Sequence, residues 1–180
     1  MGSLSGKSIL MLVAQKGFRD EELLVPKKVF ESEGAKVTLA SKAPGECFGM
    51  LGARALSDLS ISSAIPEKYD AVIVVGGAGS PEHLWNDPDT IHVVRQAASA
   101  GKVVAAICLS GAVLAQAGVI KGLDATVYET PESLAEMKKG GAVFKRADVV
   151  VSGKFITASG PHAADKFAQA IKNALASSIK

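Results

Sequence analysis

Short runs of consecutive apolar residues alternate along this chain with longer stretches whose apolar positions recur every three or four residues. The runs at 8–14, 36–41, 70–75 and 103–107 predict strands, the last three rich in Val, Ile or Leu. Continuous apolarity, rather than in-and-out alternation, belongs to strands covered on both faces. Between them the spacing predicts helices over 21–33, 88–100 and 110–117, with Gly34, Gly101 and Gly118 just past their ends, where a left-handed cap is favoured. Such alternation builds an α/β fold, a mostly parallel sheet between two helical layers.

Residues 43–65 are rich in Gly and Ser and break the pattern, which predicts short antiparallel strands or an excursion at the sheet edge. Near the end, 147–151 and 155–158 flank Ser152-Gly153-Lys154 and predict a hairpin. A closing helix over 163–178 carries Phe167, Ile171 and Leu175 at helical spacing. No repeat, low-complexity tract or linker divides the chain, so one domain is expected over 1–180, with 1–6 as a flexible lead.

With 180 residues, 48% of them hydrophobic, the chain can bury roughly 70% of its unfolded surface without disulfides. Cys47 and Cys108 form no C-x-x-C or His-Cys cluster, so neither a disulfide framework nor a metal site is expected. The net charge of +2 is scattered, and Lys27-Lys28, Lys138-Lys139 and Lys145-Arg146 never grow into a stripe, so no nucleic-acid partner is expected. Neither a signal peptide nor a membrane span is expected, which together with the free cysteines fits a cytoplasmic protein.

In an open parallel sheet, ligands bind beyond the carboxyl ends of the strands. The segments there are 15–22, 76–85, 108–111 and 159–162. In Ala106-Ile107-Cys108-Leu109-Ser110 a possible nucleophile is flanked two positions away by small residues, the spacing a sharp strand-to-helix turn requires. The following helix, starting near Ser110, would lower the Cys108 pKa through its amides and dipole. The same pattern also fits a buried cysteine serving as a small apolar residue.

Glu22 shares a predicted helix face with Val25, Pro26 and Val29, which would partly desolvate its carboxyl and keep it protonated. Alternatively it is a first-turn glutamate facing water. The glycines of Val75-Gly76-Gly77-Ala78-Gly79-Ser80-Pro81-Glu82 let backbone amides approach a ligand oxygen, or simply make a tight turn. As a dinucleotide fingerprint the run is incomplete.

These residues together resemble the PfpI/ThiJ (DJ-one) family of the class I glutamine amidotransferase-like superfamily. The resemblance rests on Glu22-Leu23-Leu24-Val25-Pro26, Ala71-Val72-Ile73-Val74-Val75-Gly76-Gly77, Val104-Ala105-Ala106-Ile107-Cys108 and Ser159-Gly160-Pro161. It implies a flavodoxin-like (Rossmann-like) three-layer αβα sandwich, Cys108 as nucleophile and Glu22 as the carboxyl bonded to its sulfur. It further implies an oxyanion hole from Gly77 and Leu109, a homodimer or larger oligomer, and no cofactor. Two departures stand out. Leu109 follows Cys108 where protease-like members carry histidine, which leaves Glu82 without the partner it would orient, and Thr130-Pro131 replaces a His-Pro pair. Of the three histidines, His92 reads as a surface residue and His83 lies near the crevice mouth. His162 is either an accessory base or anion holder, or a helix-entry residue pointing to water.

Three functions lead this reading, ahead of a flavodoxin-like phosphate binder, for which the turn 15–17 lacks the hydroxyl-rich or acidic character such sites use. The first is a cofactor-free glyoxalase or deglycase acting on a small reactive carbonyl or a glycated protein. The second is a redox sensor or chaperone in which Cys108 is oxidised. The third, a peptidase or amidase, is weakened by the missing Cys-His pair.

Overall fold

The apolar runs form the centre of a seven-stranded sheet in the computed structural model, which describes residues 2–177. The first half of the chain forms β1 (Ser8–Leu12), β2 (Lys16–Phe18), α1 (Asp20–Ser32), β3 (Lys36–Ser41), β4 (Gly45–Gly49), β5 (Arg54–Ser57), β6 (Leu59–Ser60) and β7 (Ala71–Val74). Next come α2 (Ser80–His83), α3 (Pro88–Ser99), β8 (Val103–Ile107), α4 (Gly111–Ala117), β9 (Asp124–Ala125) and α5 (Pro131–Lys139). The chain closes with β10 (Val143–Phe144), β11 (Val149–Ser152), β12 (Phe155–Ala158) and α6 (Ala164–Ser177).

The sheet order is β11-β12-β8-β7-β1-β3-β6, parallel throughout except for the β11–β12 hairpin. Every residue of β7 and β8 is buried. Successive strand side chains point to opposite faces, so one run serves two cores. Ile9, Met11, Ile73, Ala105 and Ile107 pack with Phe30 of α1 and Phe167 and Ile171 of α6. Leu10, Leu12, Val72, Val74 and Val104 pack with Val93 and Val94 of α3 and Val113 and Leu114 of α4. This is the flavodoxin-like three-layer αβα sandwich.

Residues 43–65 supply both of the expected features. β4 and β5 pair antiparallel, β2 joins β4 to make a separate three-stranded sheet, and β6 extends the edge of the main one. The buried Asp20 carboxylate accepts the N–H groups of Leu51 (3.1 Å) and Ala53 (2.9 Å), fastening the β4–β5 turn to the start of α1.

The N-terminal segment is not the free lead expected for 1–6. Leu4 is fully buried in the α1–α6 core, and its N–H donates to Glu33 O (2.9 Å), while Ser3 N–H donates to the Glu33 carboxylate (3.0 Å). One apolar side chain thus closes the core at the end of α1. Met1 and Ser178, the outer limits of the expected lead and closing helix, lie outside the described residues. No helix among those described is long and apolar enough to cross a membrane.

Candidate active site

β8 delivers Cys108 to the carboxyl end of the sheet, and there the backbone reverses. Cys108 adopts φ +61°, a left-handed conformation that costs a side-chain-bearing residue on the order of 1–3 kcal/mol. The chain continues through a 3₁₀ turn, Cys108–Ser110, so the α-helix begins at Gly111, one residue later than expected. Ser110 Oγ donates to Val75 O (2.6 Å) and accepts from Ser80 Oγ (2.7 Å), a buried pair that ties this turn to the glycine loop after β7. Trp85 Nε1 donates to Leu109 O (2.9 Å) from the other side.

Glu22 lies in the first turn of α1, on the face that also buries Pro26, and is completely inaccessible to water. Neither of its carboxyl oxygens has a well-aligned hydrogen-bond partner. Their setting is defined by Gly76. A Cβ there would stand 2.5 Å from Glu22 Oε1 and 2.6 Å from Cys108 Cβ, so only glycine lets carboxyl and cysteine come this close. The N–H groups of Leu109 and Gly77 face the Cys108 sulfur, and Gly77 itself needs a left-handed φ of +120°. The structure therefore brings Cys108, Glu22, Gly77 and Leu109 to one point.

Burial dominates the electrostatics of this point. It pushes the Glu22 carboxyl up to about 8, the sulfur and the Gly76 N–H offsetting only part of the effect. Burial, and then the charge of Glu22, push the Cys108 thiol up to about 12 against the opposing pull of the Leu109 and Gly77 amides. The expected lowering of the thiol by a helix N-terminus is thus overturned, because Cys108 is only 6% exposed. At neutral pH the pair is mostly a thiol beside a carboxylic acid.

Glu82 and His162 do not join this cluster. The Glu82 side chain is 81% exposed, with His83 Nε2 3.9 Å from its carboxylate. His162 Nε2 lies 3.2 Å from Asp148 Oδ1 and 3.3 Å from Ser159 Oγ, in a largely exposed position. That histidine lines a cavity of about 390 Å³ with Tyr128, Glu129, Arg146, Asp148 and Ser159. The cavity is linked to the cysteine through backbone, the Tyr128 N–H donating to Cys108 O (3.1 Å). Among the described residues no histidine hydrogen-bonds Cys108, and His92 is exposed as expected.

Sequence reasoning passed over the Ser80–Ser110 pair, Trp85 and Arg19. Trp85 carried a signal as the chain's single tryptophan close behind the glycine run, and Arg19 as the cation immediately before the acidic first turn of α1. The serine pair had none, since its members are 30 residues apart.

The geometry can be set beside known proteins. The chain is 45% identical over 173 residues to an uncharacterized protein of Methanocaldococcus jannaschii, covering 96% of this chain and 84% of that one. It is 33% identical over 153 residues to a deglycase of Pyrococcus horikoshii, covering 85% and 90% of the two chains. The crystal structure of a ThiJ/PfpI domain protein from Brachyspira murdochii superposes with a TM-score of 0.90 at 33% identity, over 96% of this chain and 99% of that one. The sequence profile of the DJ-1/PfpI family matches residues 7–174, and the chain belongs to that family.

Proposed function

We propose that this chain is a cysteine-dependent enzyme acting on reactive carbonyls, either isomerising α-oxoaldehydes such as methylglyoxal to hydroxy acids or removing their early adducts from proteins. The observation that carries the reading is the buried, partnerless carboxyl of Glu22 held against Cys108 beneath two backbone amides. The P. horikoshii relative, named a deglycase, supports it.

The chemistry balances within these groups. The ionised Glu22 takes the thiol proton as Cys108 sulfur bonds to the aldehyde carbon. The amides of Gly77 and Leu109 hold the oxyanion, which Glu22 then protonates to give a hemithioacetal. Glu22 next removes the hydrogen from that carbon and returns it to the neighbouring carbonyl carbon, while the hemithioacetal hydroxyl proton passes to the neighbouring oxygen, leaving a thioester of the hydroxy acid. Water cleaves the thioester, releasing the acid and restoring the thiol. Amide cleavage would ask more of the site, because a leaving amine must be protonated and no imidazole touches Cys108.

Methylglyoxal consumption by the purified protein, with lactate as product, tests this reading. Cys108→Ala should reduce the rate at least about a thousandfold, to the background of the uncatalysed reaction. Equal consumption by the variant would remove Cys108 from the mechanism.

A further inference from the structure

We infer that Arg19 selects for an anionic group at the mouth of the Cys108 site, so that the preferred carbonyl compounds carry a carboxylate or phosphate near the reacting carbon. The inference rests on the carbonyl chemistry proposed above and assigns it a substrate class.

Arg19 caps the start of α1. Its N–H donates to Gly76 O (2.9 Å) and its carbonyl accepts the N–H of Glu22 (3.0 Å). Arg19 is the extended N-cap of α1 (φ −78°, ψ 121°), so its backbone is fixed directly beside Glu22 and Gly76. The Arg19 backbone also lies so close to Gly77 that a side chain there would collide with it. Arg19 is thus built into the loop that supplies one amide to the sulfur, and its charge acts on both Glu22 and Cys108.

The guanidinium is held but not used up. Nε and Nη2 grip the Glu21 carboxylate at 3.1 and 2.9 Å, while Nη1 has no hydrogen-bond partner among the described residues, and the side chain is 29% exposed. The other acidic groups of this turn leave that edge free. Asp20 is turned to the Leu51 and Ala53 amides, and Glu22 is mostly uncharged at neutral pH. A half-exposed Arg–Glu pair contributes little stability by itself. A planar fork with one edge clamped by Glu21 and the other open is, however, pre-organised for a carboxylate or phosphate oxygen.

Thiol alkylation reads this preference without depending on turnover. The rates of Cys108 modification by iodoacetate, which is anionic, and by neutral iodoacetamide are followed by mass spectrometry in the wild type, Arg19→Gln and Arg19→Lys. Arg19→Gln should lower the iodoacetate-to-iodoacetamide ratio about fivefold with the iodoacetamide rate nearly unchanged, and Arg19→Lys should keep part of the ratio. An unchanged ratio overturns the inference. In parallel, Arg19→Gln should lose about tenfold in kcat/KM on a phosphate-bearing α-oxoaldehyde and little on methylglyoxal. Equal losses on both substrates would assign Arg19 a purely structural role and also overturn it. A lower ratio in a protein that turns over neither substrate would uphold the anion site while sinking the carbonyl reading.

Discussion

Glu22 and Cys108 are shut away from water, the carboxyl without an aligned partner, whereas His162, Asp148 and Lys166, at the same end of the sheet, stand partly in solvent and bond to one another. The second cluster has the residue types associated with hydrolases, and the first has only a thiol and an acid. Yet Asp148 is held below the usual carboxylate range by Lys166 and, less strongly, His162, a stable ion pair in high dielectric. Glu22 is pushed far above that range because its neighbours make up for only part of the water it lost. Deprivation rather than residue type marks the candidate reactive place.

After loss of the cysteine itself, placing an uncharged, non-titrating group at position 22 should have the largest effect. Glu22→Gln is expected to cut the rate of carbonyl consumption about a hundredfold and to remove a rise in kcat/KM that the wild type shows as pH approaches about 8. The same variant changes stability with a definite sign. Between the unfolded value of 4.5 and about 8, the native protein holds a proton that the unfolded chain releases, so wild-type stability falls by a few kcal/mol as pH rises through that window. Urea unfolding at pH 5 and pH 8 should show this slope in the wild type and not in Glu22→Gln. Matching slopes would mean that Glu22 is not the desolvated group described.

A smaller effect is expected one step away from the chemistry. Ser110→Ala strips Val75 O and Ser80 Oγ of a buried partner, for a cost of about 1–3 kcal/mol in urea unfolding, with a rate loss smaller than that of Glu22→Gln. The smallest is expected in the exposed cluster. His162→Ala should leave the rate within about twofold and stability within about 0.5 kcal/mol. A large loss in this variant would move the chemistry toward the 390 Å³ cavity and dissolve the contrast.

The central strands were legible because burial on both faces leaves a continuous apolar run, as in β7 and β8. Helix α5 was missed although Thr130 and Ser133 form a reciprocal cap at 2.9–3.0 Å, with Pro131 in the first turn and Lys138 and Lys139 in the last. The two-residue strands β9 and β10 carry too little pattern to announce themselves, since each is defined by its pairing partner. At the site, the positions of Cys108 and Glu22 could be read, but the direction of the thiol's shift could not. That direction is set by how completely the loops around Gly76 close over the sulfur, a property of packing that no local spacing encodes.

Trp85 gives the molecule an optical handle. It is the chain's single indole, and its N–H is bonded to the carbonyl of the residue whose own amide faces the cysteine. Any occupant that shifts the backbone at Leu109 changes the polarity around one chromophore, so the emission of the unlabelled protein carries a record of what happens at Cys108.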